Sequence, residues 1–152
     1  MLRQAVVGVV VAGLALGTIE VQPAQSKDSC QVALAKAKNQ LKSKNVRVVN
    51  LNEYDMSKES YSSEYPEKYP IRVSMSLEGS GTESVMNSTI FLKALSSNII
   101  LGCEPVSLVE FGANQTDWIN TFGLLGNNKV EEFECLPPGT TTRIPWGYTV
   151  CL

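Results

Sequence analysis

Apolar and polar residues alternate most regularly in residues 71–77, where every second side chain is apolar. A period of two places one set of side chains against a core and the other in water, so we predict a half-buried β-strand there. A shorter apolar run at residues 46–51 predicts a strand that precedes it. The intervening residues 52–69 are rich in Ser, Tyr, Glu and Pro, and this composition predicts a long exposed loop.

Helical spacing occurs in two other segments. In residues 29–44, apolar side chains recur every three or four positions and polar ones, several of them lysines, fill the rest, which predicts an amphipathic helix. Asp28 or Ser29 is expected to cap its start, and Asn45 to end it in a left-handed turn. Residues 87–101 predict a second, well-buried helix, because apolar side chains cover much of its circumference.

The rest of the chain has the pattern of β-structure. Strands are predicted at residues 106–111, 118–125 and 130–135, joined by two segments of typical turn composition. A Pro-Pro-Gly sequence separates them from a last short strand at residues 148–151. Helices segregated from a mainly antiparallel sheet are typical of an α+β domain. We therefore predict two helices on one face of a mainly antiparallel sheet, with a three-stranded C-terminal meander.

The N-terminus has the features of a secretory signal peptide at residues 1–26. Arg3 gives it a positive start, and residues 5–16 form an uncharged apolar run. An uncleaved membrane anchor is the alternative, but this run falls short of the roughly 20 residues that cross a bilayer. We expect cleavage before Lys27, which leaves a single domain at residues 27–152 in the periplasm or the extracellular space, without a membrane anchor.

Composition and charge narrow the possible functions. The chain has 152 residues, enough for one domain with a substantial core, and its 13 basic and 15 acidic residues give a net charge of -2. A balance this even excludes broad electrostatic binding of nucleic acid. The absence of histidine removes the Ser-His-Asp triad, the Cys-His dyad and histidine-based metal sites. The glycine turn at residues 79–82 lacks the full pattern of a phosphate-binding loop, so we predict a plain turn and no cofactor.

The four cysteines are Cys30, Cys103, Cys135 and Cys151. An even number in a small exported domain predicts two disulfides, and the absence of a CxxC pair argues against zinc. In a meander, Cys103 precedes the first strand and Cys135 ends the third, so they lie at opposite ends of the sheet and do not pair. We prefer Cys30–Cys103 with Cys135–Cys151, because the second bridge closes a short loop. The alternative, Cys30–Cys135 with Cys103–Cys151, stays open.

Four tyrosines in the predicted loop are the candidate binding residues, namely Tyr54, Tyr61, Tyr65 and Tyr69. Exposed aromatic rings stack on sugars and anchor protein interfaces, because they offer a large contact area at low entropic cost. The alternative is that two or three of these rings fold back onto the edge of the sheet. Trp118 and Trp146 are expected to lie in the core or to line a groove.

Acidic residues provide the enzymatic alternative. Glu131, Glu132 and Glu134 occur close together, and Glu104 and Glu110 lie in the same half of the chain. Paired carboxylates hydrolyse glycosidic bonds without histidine, or bind a hard cation through their oxygens. A glutamate-rich outer face of a hairpin is the commoner meaning of such a cluster, so we predict neither a metal site nor catalytic residues here.

Three sequence segments cover most of the C-terminal third of the chain. They are VSLVEFGANQTDW at residues 106–118, TFGLLGNNKVEEFEC at 121–135 and PWGYTVCL at 145–152, together with Cys103. These segments resemble small exported cyanobacterial proteins, a family to which no activity is assigned. The resemblance implies export and a pairing role for the cysteines. We predict an exported, non-enzymatic binding or interaction module with a protein or glycan partner, and a small histidine-free hydrolase is the alternative.

Overall fold

Helices and strands form in most of the segments where the sequence pattern predicts them. The computed structural model describes residues 24–58, 65–66, 68–139 and 144–150. The helices are α1 (Ala24–Lys42), α2 (Thr82–Met86) and α3 (Thr89–Gly102). The strands are β1 (Arg47–Asp55), β2 (Ile71–Glu78), β3 (Val106–Ala113), β4 (Ile119–Leu125), β5 (Lys129–Glu132), β6 (Glu134–Leu136) and β7 (Tyr148–Val150). The predicted α+β class is confirmed.

Strands β1 to β5 form one sheet in the order of the chain. β1 pairs antiparallel with β2, and β3, β4 and β5 form the predicted antiparallel meander. β2 and β3 are parallel neighbours, because the chain between them crosses over through α2 and α3 rather than through a hairpin. β6 and β7 form a separate two-stranded parallel sheet.

The main core lies between one face of the sheet and the helices. Val73, Met75 and Leu77, which alternate along β2, are fully buried. Leu41 of α1 and Leu92 of α3 belong to the same core. Burial of a side chain of this size stabilises a fold by about 1.5–3 kcal/mol, so the strict alternation of β2 is a strong signal of which face turns inward.

A disulfide joins α1 to the end of α3. Cys30 and Cys103 are bonded, with their Cα atoms 4.1 Å apart and 73 positions of sequence between them. Cys103 is fully buried, whereas Cys30 is partly exposed. The predicted Cys30–Cys103 pair is therefore confirmed. It excludes the alternative pairing of Cys30 with Cys135 and of Cys103 with Cys151.

Helix α1 begins earlier than the sequence pattern predicts. It starts at Ala24, so Asp28 and Ser29, the expected caps, lie within the helix, and that expectation was wrong. Ser29 Oγ instead donates a hydrogen bond to the Gly102 carbonyl oxygen at 3.0 Å, which ties α1 to α3 beside the disulfide. The predicted end is confirmed, because Asn45 has a φ of 59° and adopts the left-handed conformation.

Most of the predicted signal peptide, residues 1–23, lies outside the described residues. Among the helices that the structure describes, none is long and apolar enough to cross a bilayer.

The predicted exposed loop begins later than expected. β1 runs to Asp55, so residues 52–55 belong to a strand. β1 is the edge strand of the sheet and presents polar side chains to solvent, so a polar composition there does not indicate a loop. Residues 59–64 and 67 lie outside the described part of the chain. The short helix α2, before α3, is a further element that the sequence pattern did not predict.

The predicted strand at residues 130–135 is interrupted at Phe133. Phe133 is buried, and its ring lies so close to Gly123 of β4 that a Cβ atom there would overlap it. The chain leaves the main sheet at this point and continues as β6, which pairs with β7. Cys135 on β6 is disulfide-bonded, while Cys151, its predicted partner, lies outside the described residues.

The Gly79-Ser80-Gly81 turn packs closely against the end of α1. A Cβ atom on Gly79 or Gly81 would overlap the backbone carbonyl groups of Asn45 and Lys44. Gly79 also has a φ of 137°, a conformation that other residues rarely adopt. Close backbone packing therefore explains these glycines, in agreement with the prediction of a plain turn.

Candidate binding groove

A groove lies on the face of the sheet opposite the main core. Along β3, Val109 and Phe111 are buried in that core, so Glu110 between them points to the opposite face. The turn after β3 and the start of β4 continue the floor, and β6 and β7 contribute the wall. The groove has a volume of about 630 Å³ and is lined by Glu110, residues 116–120, Cys135, Thr149 and Val150.

Three exposed apolar side chains converge on this groove. Trp118 is 38% exposed, Ile119 54% and Val150 41%. The described part of the chain has seven large apolar side chains that are exposed, and these are three of them. Folding alone does not require a cluster of this kind, because exposed apolar side chains on a monomer are mostly scattered singly. The cluster is therefore a feature of the surface that packing of the fold does not explain.

Among the described residues that line the groove, the charged groups are carboxylates. Asp117 is exposed, and Glu110 lies deeper beside Arg72 of β2. The Arg72 Nε and Glu110 Oε2 atoms are 3.6 Å apart, and each side chain is only 16% exposed. The Arg72 guanidinium also stacks over the ring of Tyr54, 4.5 Å from its centroid. Arg72 thus balances the charge of Glu110. The exposed Asp117 carboxylate gives the groove a negative charge.

Local hydrogen bonds hold the floor of the groove in place. Thr116 Oγ1 donates to the Ala113 carbonyl oxygen at 2.9 Å and accepts from the Trp118 backbone N–H at 3.1 Å. The Asn120 side-chain amide donates to the Met86 carbonyl oxygen at 2.7 Å, which fixes β4 to α2. A surface that is ordered before it meets a ligand loses less entropy on binding.

The four candidate tyrosines lie in different surroundings. Tyr54 is on β1 beneath Arg72, and Tyr69 is half-buried against the main core. Tyr65 is half-buried in a second, smaller core, where its ring centroid lies 6.5 Å from that of Trp146. Tyr61 lies outside the described residues. None of the three described tyrosines lines the groove.

The two tryptophans occupy the two kinds of position expected for them. Trp146 packs edge-to-face on Phe133, with ring centroids 5.0 Å apart, and its Nε1 donates to the Leu124 carbonyl oxygen at 2.9 Å. Trp118 lines the groove. One tryptophan therefore serves the smaller core, and the other is available for contact.

Three of the acidic residues that were considered for a hydrolase form ion pairs with basic side chains. Glu131 pairs with Lys93 of α3, and Glu110 with Arg72. Glu104 pairs with Lys68 at 3.3 Å. Among the described residues, no three acidic or cysteine side chains gather as a metal site would require.

A smaller cavity of about 290 Å³ lies at the end of α3, away from the groove. Tyr69, Leu101 and Glu104 are among the residues that line it. The pKa of Lys68, at the same end of the fold, is raised above its ordinary value of 10.5 by hydrogen bonds to Tyr69 and Glu104. These contacts tie the chain before β2 to the end of α3, and we assign them a structural role.

Sequence reasoning identified Trp118 as a possible groove residue but missed Ile119 and Val150. Val150 reaches the groove only because β6 and β7 form their own sheet, and no local pattern signals that pairing. The Trp-Ile pair directly after a polar turn was the available signal.

In comparisons with family models, curated proteins and solved structures, nothing matches this chain.

Proposed function

We propose that the protein is a non-enzymatic binding module and that the groove is its contact surface. The observation that carries this proposal is the convergence of exposed Trp118, Ile119 and Val150 on one ordered groove. Binding energy at interfaces concentrates in a few aromatic and apolar side chains of this kind. We assign the contact to the groove rather than to the tyrosine segment, because Tyr65 and Tyr69 are half-buried and the Arg72 guanidinium already stacks over the ring of Tyr54. The partner is a protein or a glycan, since both bind to exposed aromatic rings.

We also propose that the module acts after export, in the periplasm or the extracellular space. Disulfides persist in oxidising compartments, and Cys30 and Cys103 form one here. The signal-peptide features of residues 1–26 and the resemblance of the last third of the chain to small exported proteins support the same location.

The binding proposal is tested with two probe collections, a random-peptide display library and a panel of immobilised oligosaccharides. Purified wild-type protein is compared with a Trp118→Ala variant. We expect binders to at least one collection, and we expect the variant to lose them, because truncation of a central aromatic contact typically costs about 2 kcal/mol or more, roughly thirtyfold in affinity.

The matched control is Ile90→Ala on α3. Ile90 is 86% exposed but does not line the groove, so its truncation should leave binding unchanged. If the Trp118→Ala and Ile90→Ala substitutions reduce the affinity for a binder by the same factor, the groove is not the contact surface. An absence of binders from both collections would contradict the proposal as a whole.

A further inference from the structure

We propose that the groove binds an extended polypeptide segment that carries a lysine or arginine side chain and that pairs with the edge of β4. This inference rests on the proposed binding function and names the chemical class of its ligand. Three features of the groove carry it, namely an uncovered strand edge, the apolar side chains beside that edge, and the sign of the lining charges.

Among the described residues, no strand covers the outer edge of β4 before Thr121. β5 pairs with β4 from Phe122 to Leu125, and the Phe133 N–H donates to the Thr121 carbonyl oxygen at 2.8 Å, after which the chain leaves the sheet. The Ala113 N–H donates to the Trp118 carbonyl oxygen at 2.9 Å, so the backbone of Trp118 faces β3. Hydrogen-bonding directions alternate along a strand, and the N–H and C=O of Ile119 therefore point away from β3. Among the described strands, none pairs with Ile119 on that side.

An uncovered strand edge distinguishes a polypeptide from a glycan. An extended peptide completes such an edge with backbone hydrogen bonds, whereas a sugar has no repeating donors and acceptors at strand spacing. The exposed side chains of Trp118, Ile119 and Val150 lie along the same groove and offer apolar contacts to alternate side chains of the added strand. Backbone pairing then supplies affinity, and these contacts supply selectivity.

The lining charges select a cationic ligand. The described residues that line the groove include Glu110 and Asp117 and no lysine or arginine. Arg72 already balances Glu110, so the exposed Asp117 carboxylate attracts an incoming cation. Asp117 precedes Trp118 in the sequence, and an aromatic face attracts a cation as well. A lysine or arginine side chain that reaches both groups gains from each.

The test uses a positional-scanning library of acetylated and amidated pentapeptides, with a panel of neutral oligosaccharides in parallel. We expect the preferred peptides to contain lysine or arginine. Replacement of arginine by citrulline, which keeps the shape and removes the charge, should weaken binding about tenfold. Asp117→Asn should remove that difference, and the control Glu53→Gln, an exposed acid on β1, should not.

Strand pairing has its own readout in the preferred peptide. Methylation of backbone nitrogens one at a time should abolish binding at alternate positions only, because alternate N–H groups of an added strand face the protein. Equal tolerance of methylation at every position would overturn the pairing with β4.

The remaining outcomes separate this inference from the proposed function. Equal binding of the arginine and citrulline peptides would overturn the cationic class, while Trp118-dependent binding would still support a binding module. Trp118-dependent binding of oligosaccharides alone would overturn the polypeptide class and leave the binding module standing. Binding of neither peptides nor oligosaccharides would overturn the proposed function together with this inference.

Discussion

A buried hydroxyl group lies on the same sheet face as the groove. Thr121 of β4 is 3% exposed, and its Oγ1 atom has no hydrogen-bond partner among the described residues. It stands opposite Glu110 in the pairing of β3 with β4. A buried polar atom without a partner costs a fold about 1–3 kcal/mol, so this position is a local weakness.

Thr121→Val should therefore raise the free energy of unfolding by about 1 kcal/mol, because it removes the hydroxyl and keeps the branched shape. Urea unfolding measures this change. Thr116→Val is the matched control and should lower the free energy of unfolding, since that hydroxyl both donates and accepts a hydrogen bond. A loss of stability in Thr121→Val as large as in the control would show that the Thr121 hydroxyl has a partner.

At the scale of the elements, the break between β5 and β6 shapes the groove. It leaves the outer edge of β4 before Thr121 without a partner among the described strands, and it allows β6 and β7 to form the wall. The break depends on Gly123, because only a residue without a side chain leaves room for the ring of Phe133.

Gly123→Ala should destabilise the protein by about 1–3 kcal/mol, since the added methyl group overlaps a buried ring. Gly112→Ala on β3 is the matched control. Its Cβ atom would lie 3.8 Å from Ile119 Cγ1, an ordinary contact, so thermal unfolding should change little. Equal melting temperatures for the two variants would contradict the account of the break.

The same break shows how far the sequence pattern predicts the elements. Strand β2 follows from its alternation, and the meander follows from turns between apolar runs. The end of β5 did not follow, because the burial of Phe133 depends on Gly123, ten positions away on another strand. The polar end of β1 was predicted as loop, because an edge strand with solvent on its outer face has the composition of a loop.

At the scale of the whole molecule, the candidate site depends on contacts between distant segments. The residue type of Trp118 was visible in the sequence, but its exposure was not. Val150 and Cys135 reach the groove through the pairing of β6 with β7, which follows a connection rich in proline and glycine. Sequence periodicity carries no information on such pairing, so the groove emerges only from the fold.

The Cys30–Cys103 disulfide is the strongest long-range constraint on the fold. A loop closed over 73 positions restricts the unfolded chain, and removal of such a bridge typically costs 2–5 kcal/mol. The double variant Cys30→Ala with Cys103→Ala should lose an amount in this range in urea unfolding. An unchanged midpoint would contradict a stabilising role for the bridge.

Export makes a prediction about the N-terminus of the mature protein. Cleavage before Lys27 would remove the first three residues of α1 and leave Cys30 bonded to Cys103. N-terminal sequencing of protein secreted by a bacterial host should therefore begin at Lys27, within a residue or two. A secreted form that retains residues 5–16 would contradict the signal-peptide prediction.

The central claim is that ligands bind in the groove, and the indole signals of the two tryptophans test it most directly. A titration of the protein with the tightest peptide or oligosaccharide is followed by two-dimensional proton–nitrogen spectra. The Trp118 indole resonance should move, whereas that of Trp146, which is hydrogen-bonded to the Leu124 carbonyl oxygen, should stay in place. Saturating ligand that leaves the Trp118 resonance unmoved would contradict the claim.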